Sequence, residues 1–146
     1  MEDTLLEILG AFKKPVIRQG SLAPDAAYPE TFFTFWNRSE EEQSAYDNET
    51  ALVVHEFDVN VYSTDPATVY SLLGQARDAL KAAGWQTPDR GHDIASDEIT
   101  HTGRGLTCTY IETLTDEPQP EPDPDPTPDP EPEPEPTPTP DPDPTP

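Results

Sequence analysis

ALVVHEFDVNVYS, residues 51–63, is the stretch whose reading decides the fold. Val53, His55, Phe57, Val59 and Val61 fall on one face, while Val54, Glu56, Asp58, Asn60 and Tyr62 fall on the other. A period of two over this length belongs to a strand with one buried face, and the first set is the apolar one. Upstream, TFFTFW (31–36) is aromatic and β-prone. The polar, acidic NRSEEEQSAYDNET (37–50) lies between them and reads as a long hairpin loop or a mobile flap. Two strands joined in this way are expected to pair as an antiparallel hairpin.

Directly after the central strand comes TDPATVYSLLGQARDALKAAGW (64–85), which predicts a helix. Asp65 suits the N-cap and Pro66 the first helical position. Val69, Leu72, Leu73, Ala76, Leu80 and Ala83 form the expected apolar stripe. Gly84 is the expected C′ terminator. Gly74 inside the helix costs ~1 kcal/mol relative to Ala, which signals either close packing or tolerance. At the other end of the chain, DTLLEILGAF (3–12) places Leu5, Leu6, Leu9 and Phe12 at helical spacing. Asp3 or Thr4 is the expected cap, Lys13 and Lys14 are assigned to the last turn, and Pro15 to the stop. PVIRQG (15–20) reads as a short strand, SLAPDAAYPE (21–30) as loop, and HDIASDE (92–98) as strand or irregular chain. LTCTYIET (106–113) alternates Leu106, Cys108 and Tyr110 against Thr107, Thr109 and Ile111, as a last strand does. The order α-β-β-β-α-(β)-β predicts an α+β fold: one mostly antiparallel sheet with an N-terminal helix and one longer helix packed on it.

Composition divides the 146 residues into two materials. From Pro118 onward every second residue is proline, and this run holds 15 of the 20 prolines with no Lys, Arg or aromatic residue. Alternating proline deletes backbone donors and pushes each preceding residue to extended geometry. Residues 116–146 are therefore expected to be a disordered, acidic, polyproline-II-like tail, and 1–115 a folded domain. As a polyproline-II rod at ~3.1 Å per residue, the tail would reach on the order of 90 Å. It suits a solvating spacer better than a ligand for a proline-recognition groove, because the basic or apolar anchors such grooves want are missing. The domain itself has 19 acidic and 8 basic residues, a net charge of −11 within the −22 of the whole. Tight binding of duplex nucleic acid needs clustered Lys and Arg, and the longest run here is Lys13-Lys14. Neither a signal peptide nor a membrane span is expected. The single cysteine, Cys108, excludes an internal disulfide and fits a reducing compartment.

The densest chemical stretch is HTGRG (101–105). It lacks the GxxxxGK[ST] spacing of a phosphate loop and precedes a strand rather than a helix. Gly103 and Gly105 are expected to supply turn dihedrals, with His101 and Thr102 satisfying local backbone groups. Arg104 is assigned either to the carboxylates of SDE (96–98) or to a neighbouring subunit. His55, His92, His101 and Cys108 match no zinc spacing, and a strand-embedded Cys108 is an unpromising nucleophile. The carboxylates of Glu56, Asp58, Asp93, Asp97 and Glu98 read as a solvated acidic face. A small enzyme would need His101, Arg104 and Asp93 to converge in one pocket. No enzyme activity, cofactor or metal is expected.

VIRQGSL (16–22), YPETFFTFWN (28–37), YDNE (46–49), FDVNVYSTDP (57–66), AGW (83–85) and DIASDEITHTGRG (93–105) follow one another in unbroken order. Together they resemble the tail terminator or tail-completion proteins that join head to tail in long-tailed phages and prophages of Gram-positive bacteria. The resemblance implies a small α+β subunit that forms a homo-oligomeric ring, a hexamer, at the capsid-proximal end of the tail tube. Its implied partners are further copies of itself, the tail tube protein and the head–tail connector or head-completion proteins, without specific nucleic-acid or membrane binding. The implied location is the virion, with the host cytoplasm during assembly. Arg18, Trp36 and Arg104 are the candidate subunit-interface residues. Another phage neck, minor tail or capsid component, or a non-phage interaction module with a proline-rich stalk, is the alternative.

Overall fold

A computed structural model describes residues 1–44, 50–114 and 133–138. The chain divides into two units, Met1–Asp116 and Glu117–Pro146. In the second, residues 133–138 are exposed and carry no regular secondary structure, and the rest of the expected polyproline-II-like tail lies outside the described residues. The first unit runs α1 (Glu2–Gly10), β1 (Val16–Arg18), β2 (Thr31–Ser44), β3 (Thr50–Ser63), α2 (Pro66–Ala82), β4 (His92–Ile94) and β5 (Thr102–Thr113). The fold is α+β. Five strands form one sheet in the order β1-β2-β3-β5-β4. Only β1 and β2 run parallel; the other neighbours are antiparallel.

The alternation in 51–63 places its residues as expected. Val53, His55, Phe57, Val59 and Val61 are all buried on the face that meets the helices. Phe33 and Phe35 from β2 and Leu106 and Cys108 from β5 complete that face, and Leu5 and Leu9 of α1 and Leu73, Ala76 and Leu80 of α2 close over it. Each large side chain removed from water in this layer contributes about 1.5–3 kcal/mol, offset by the entropy of ordering the chain. Asp65 caps α2, accepting a hydrogen bond from the Ala67 amide at 3.1 Å, and Gly84 takes the left-handed φ of +89° just after the helix. Ala83, expected on the stripe, is exposed instead, because the helix ends at Ala82 and the chain turns away. Gly74 has open space where a Cβ would stand, so its place in the helix is tolerance rather than close packing.

Several boundaries differ from the expectation, including β1, which ends at Arg18 rather than Gly20. β2 does not stop at Trp36 but continues to Ser44, and β3 starts at Thr50, so most of the expected loop is strand. Cross-strand pairing with β3 outweighs the low β-propensity of the Glu residues, whose side chains are exposed. The tip of the hairpin, 45–49, lies outside the described residues. At the N-terminus, α1 begins at Glu2, so Asp3 and Thr4 sit within its first turn, and no side chain caps it. It ends at Gly10, before Lys13, Lys14 and Pro15; Lys13 itself takes a left-handed φ of 57°. Finally, β5 starts at Thr102, four residues earlier than expected, so TGRG (102–105) is strand rather than the turn before it.

Candidate functional site

The sheet face turned away from the helices carries the aromatic and charged side chains that the core does not use. β2 supplies Phe32, Thr34 and Trp36, and β3 supplies Glu56, Asp58, Asn60 and Tyr62, because alternate residues of one strand point to opposite faces. A register shift between Asn37 and Ser39 turns Arg38 toward the same face. Asp58 is the hub of this surface. Its carboxylate accepts from Trp36 Nε1 at 2.7 Å and from Thr107 Oγ1 at 2.7 Å, with Arg38 Nη1 3.8 Å away. Glu56 accepts from Ser39 Oγ at 3.1 Å and lies 4.0 Å from Arg38 Nε. The expected solvated acidic face is thus, at Glu56 and Asp58, a lattice of cross-strand hydrogen bonds.

Two concavities adjoin on this face. One, of about 420 Å³, is walled by Ile17, Leu22, Pro24, Tyr28, Phe32 and Tyr62. The other, of about 350 Å³, lies over Trp36, Arg38, Asp58 and Asn60. Gln19, Tyr62 and Asp97 border both, so they form one trough. Phe32 stacks on Tyr62 with ring centroids 5.3 Å apart, and Tyr28 meets the edge of Phe32 at 5.6 Å. Burial of the Tyr62 hydroxyl, reinforced by the Asp97 carboxylate, pushes its pKa above the ordinary tyrosine value. The side chains of Asp97 and Glu98 form no hydrogen bond or ion pair with other described residues.

HTGRG is built differently from the sequence reading. Neither Gly103 nor Gly105 has a left-handed φ. They are glycines because a Cβ at Gly103 would stand 2.7 Å from Tyr62 Cε1, and one at Gly105 would collide with the Asn60 amide. Both neighbours are their direct cross-strand partners on β3. The backbone group that His101 meets is a distant one: its Nε2 lies 2.8 Å from the Pro29 carbonyl, which ties the 21–30 loop to the sheet near Phe32, while its Nδ1 lies 2.9 Å from Thr100 Oγ1. Arg104 forms no hydrogen bond or ion pair with 96–98. It donates to Asp93 Oδ1 at 2.8 Å and to the Gly91 carbonyl at 2.8 Å, and its guanidinium lies 4.5 Å from the centroid of the Tyr70 ring. Hydrogen bonds from Arg104 and Tyr70 hold the Asp93 carboxyl below the usual carboxylate range. His101 lies on the open face while Arg104 meets Tyr70 of α2 on the helix side, so the three side chains of the enzyme reading do not converge.

Of the other interface candidates, Arg18 is held by Glu2 at 3.0 Å and Trp36 is anchored on Asp58 with about a third of its surface exposed. Cys108 is fully buried, and burial, with Asp58 and Glu56 nearby, pushes its thiol up to about 12. Among the described residues no three His, Cys, Asp or Glu side chains come together as a metal site, and no helix is long and apolar enough to cross a membrane. Sequence reading missed the setting of His55. It is 6% exposed yet stands with Nε2 2.7 Å from Glu112 and Nδ1 3.6 Å from Glu40. The strand alternation carried a signal for this, since Glu112 continues the even-numbered run of Leu106, Cys108 and Tyr110. No protein-family model and no curated protein matches the chain.

Proposed function

We propose that residues 1–115 are a structural subunit of the phage head–tail joining region, a tail terminator that assembles as a ring on the tail tube and docks the head connector. The observation that carries this reading is where the family-like stretches lie. Segments 16–22, 28–37, 57–66 and 93–105 are far apart in sequence. They nonetheless supply Ile17, Tyr28, Phe32, Trp36, Tyr62 and Asp97 to the same open-face trough. Distant segments that build one exposed surface, and not only a core, suit a subunit with a docking role. The segment 46–49 lies outside the described residues.

The charge supports the same reading. A domain of net −11 presents little to which DNA phosphates adhere, which suits a passage through which DNA slides. The proposal is non-enzymatic; among the described residues, His101, Arg104 and Asp93 do not converge in one pocket. The location that follows is the head-proximal end of the tail in the virion, reached from the host cytoplasm.

Deleting the coding sequence for residues 1–115 from the phage genome tests the reading. Electron microscopy of the lysate is expected to show tails of irregular length and heads without tails. Tails of normal, defined length joined to heads would refute it.

A further inference from the structure

We infer that the turn 97–100 of one copy seats against the helix layer of a second copy, with Ile99 in a depression edged by Lys14. The inference rests on the ring reading and names the surfaces that would meet. Ile99 is fully exposed at the tip of this turn. Asp97 and Glu98 precede it, both exposed and both without an ion partner among the described residues. An aliphatic side chain held out beside two such carboxylates seeks a partner surface that is apolar where it docks and basic nearby.

A basic-edged depression of this kind lies in the helix layer. Between the turn after α1 and the first half of α2, it measures about 330 Å³ and is lined by Ala67 and Leu72 together with the polar Thr68, Ser71 and Gln75 and with Lys14. Lys13 and Lys14 are exposed, form no ion pair among the described residues, and are the only adjacent cations in the chain. Asp65 also borders the depression, but its carboxylate is committed to the start of α2, accepting from the Ala67 amide at 3.1 Å and Thr68 Oγ1 at 2.9 Å. In a domain of net −11, self-association is repulsive unless the contact brings carboxylates onto cations. Setting Asp97 and Glu98 against Lys13 and Lys14 does this.

The two surfaces lie on opposite faces of the sheet. Asp97 and Glu98 border the open-face trough, whereas the depression belongs to the helix layer. Patches on opposite faces of one subunit do not readily meet reciprocally about a two-fold axis; the contact is then heterologous, and repetition closes into a ring or runs on as a filament. Ile99 would act as the anchor and the lysines would fix the register.

Disulfide trapping with the full chain tests the contact. Cys108 is fully buried, so introduced thiols report alone. Under mild oxidation, the Ile99→Cys/Ala67→Cys double variant is expected to give a ladder of dimer, trimer and higher species, reversed by dithiothreitol. Each single variant is expected to stay monomeric on the same gel. Because a disulfide captures even brief encounters, absence of the ladder overturns the contact, and so does a dimer from Ile99→Cys alone. Charge reversal adds a second arm: Glu98→Lys or Lys14→Glu lowers the trapping rate on the order of tenfold, and the two together restore it. No restoration would count against the register. Native mass spectrometry separates this inference from the ring reading. A wild-type ring without a ladder removes the contact and keeps the ring, and a ladder that never closes keeps the contact and removes the ring.

Discussion

At the scale of single residues, the glycines and Arg104 of HTGRG show how the same residue types serve packing instead of chemistry. Gly105 faces Asn60 across the β3–β5 ladder with no room for a methyl group. Gly105→Ala is therefore expected to destabilise the domain by about 1–3 kcal/mol, the usual range for overpacking, measured by urea denaturation. A change within the error of the measurement would show that Asn60 simply moves aside. Arg104 holds β4 to β5 through Asp93 and the Gly91 carbonyl. The Asp93 carboxyl titrates below the ordinary range in the folded state, so its contribution to stability is present above the unfolded carboxylate pKa. That contribution is lost as pH falls through the depressed folded value. Arg104→Ala is expected to return the Asp93 titration, followed by NMR, toward the ordinary range and to remove this acid-side dependence. An unmoved Asp93 would mean that Tyr70 alone sets it. Because Nη1 and Nη2 of Arg104 both donate within one subunit, Arg104→Ala is expected to affect the β4–β5 corner before it affects assembly.

At the scale of elements, α2 and the outer part of β2 are stabilised for different reasons. Local chemistry specifies α2: the Asp65 cap, Pro66 at the first position, a five-residue buried stripe and Gly84 at the end. Asp65→Ala is expected to cost about 1 kcal/mol, lowering the thermal midpoint, whereas Asp65→Asn should retain most of it. Equal losses in both variants would show that the charge, not the cap geometry, matters. β2 beyond Phe35 has β3 on one side and no described strand on the other, since β1 pairs only with Phe33, Thr34 and Phe35. An exposed sheet edge invites further pairing, and Glu40, Glu41 and Glu42 oppose it by charge. Replacing all three with Thr is expected to increase concentration-dependent aggregation, read by light scattering, at little cost in folding. These elements also mark how far the sequence could be read. The β3 alternation and the α2 signals are local, so both were legible. The extension of β2 through NRSEEEQS was not, because its strand character comes from pairing with β3 rather than from its own side chains. The early start of β5 was hidden for a similar reason: glycine in a strand reads as a turn until its cross-strand neighbour is known.

At the scale of the whole molecule, the folded unit and the proline-rich stretch obey different physics. The core is complete within Met1–Asp116. Alternating proline from 118 onward offers neither apolar side chains to bury nor regular backbone donors. Truncation after Thr115 is expected to leave the thermal midpoint of the domain unchanged. A fall of more than ~4 °C, equivalent to about 1 kcal/mol for a domain of this size, would assign the tail a part in stability.

The amino-acid sequence by itself determined the α+β class, the order of elements, the buried face of β3 and the capped helix α2. Each of these rests on interactions within a few residues along the chain, where periodicity and capping chemistry act. Only the tertiary structure decided the partner of Arg104, the cross-strand reason for Gly103 and Gly105, the Asp58 hub and the trough shared by four distant segments. Those depend on sheet order and register, which are fixed by contacts between residues far apart in sequence. No local pattern in 101–105 could have told a strand packed against Tyr62 and Asn60 from a turn.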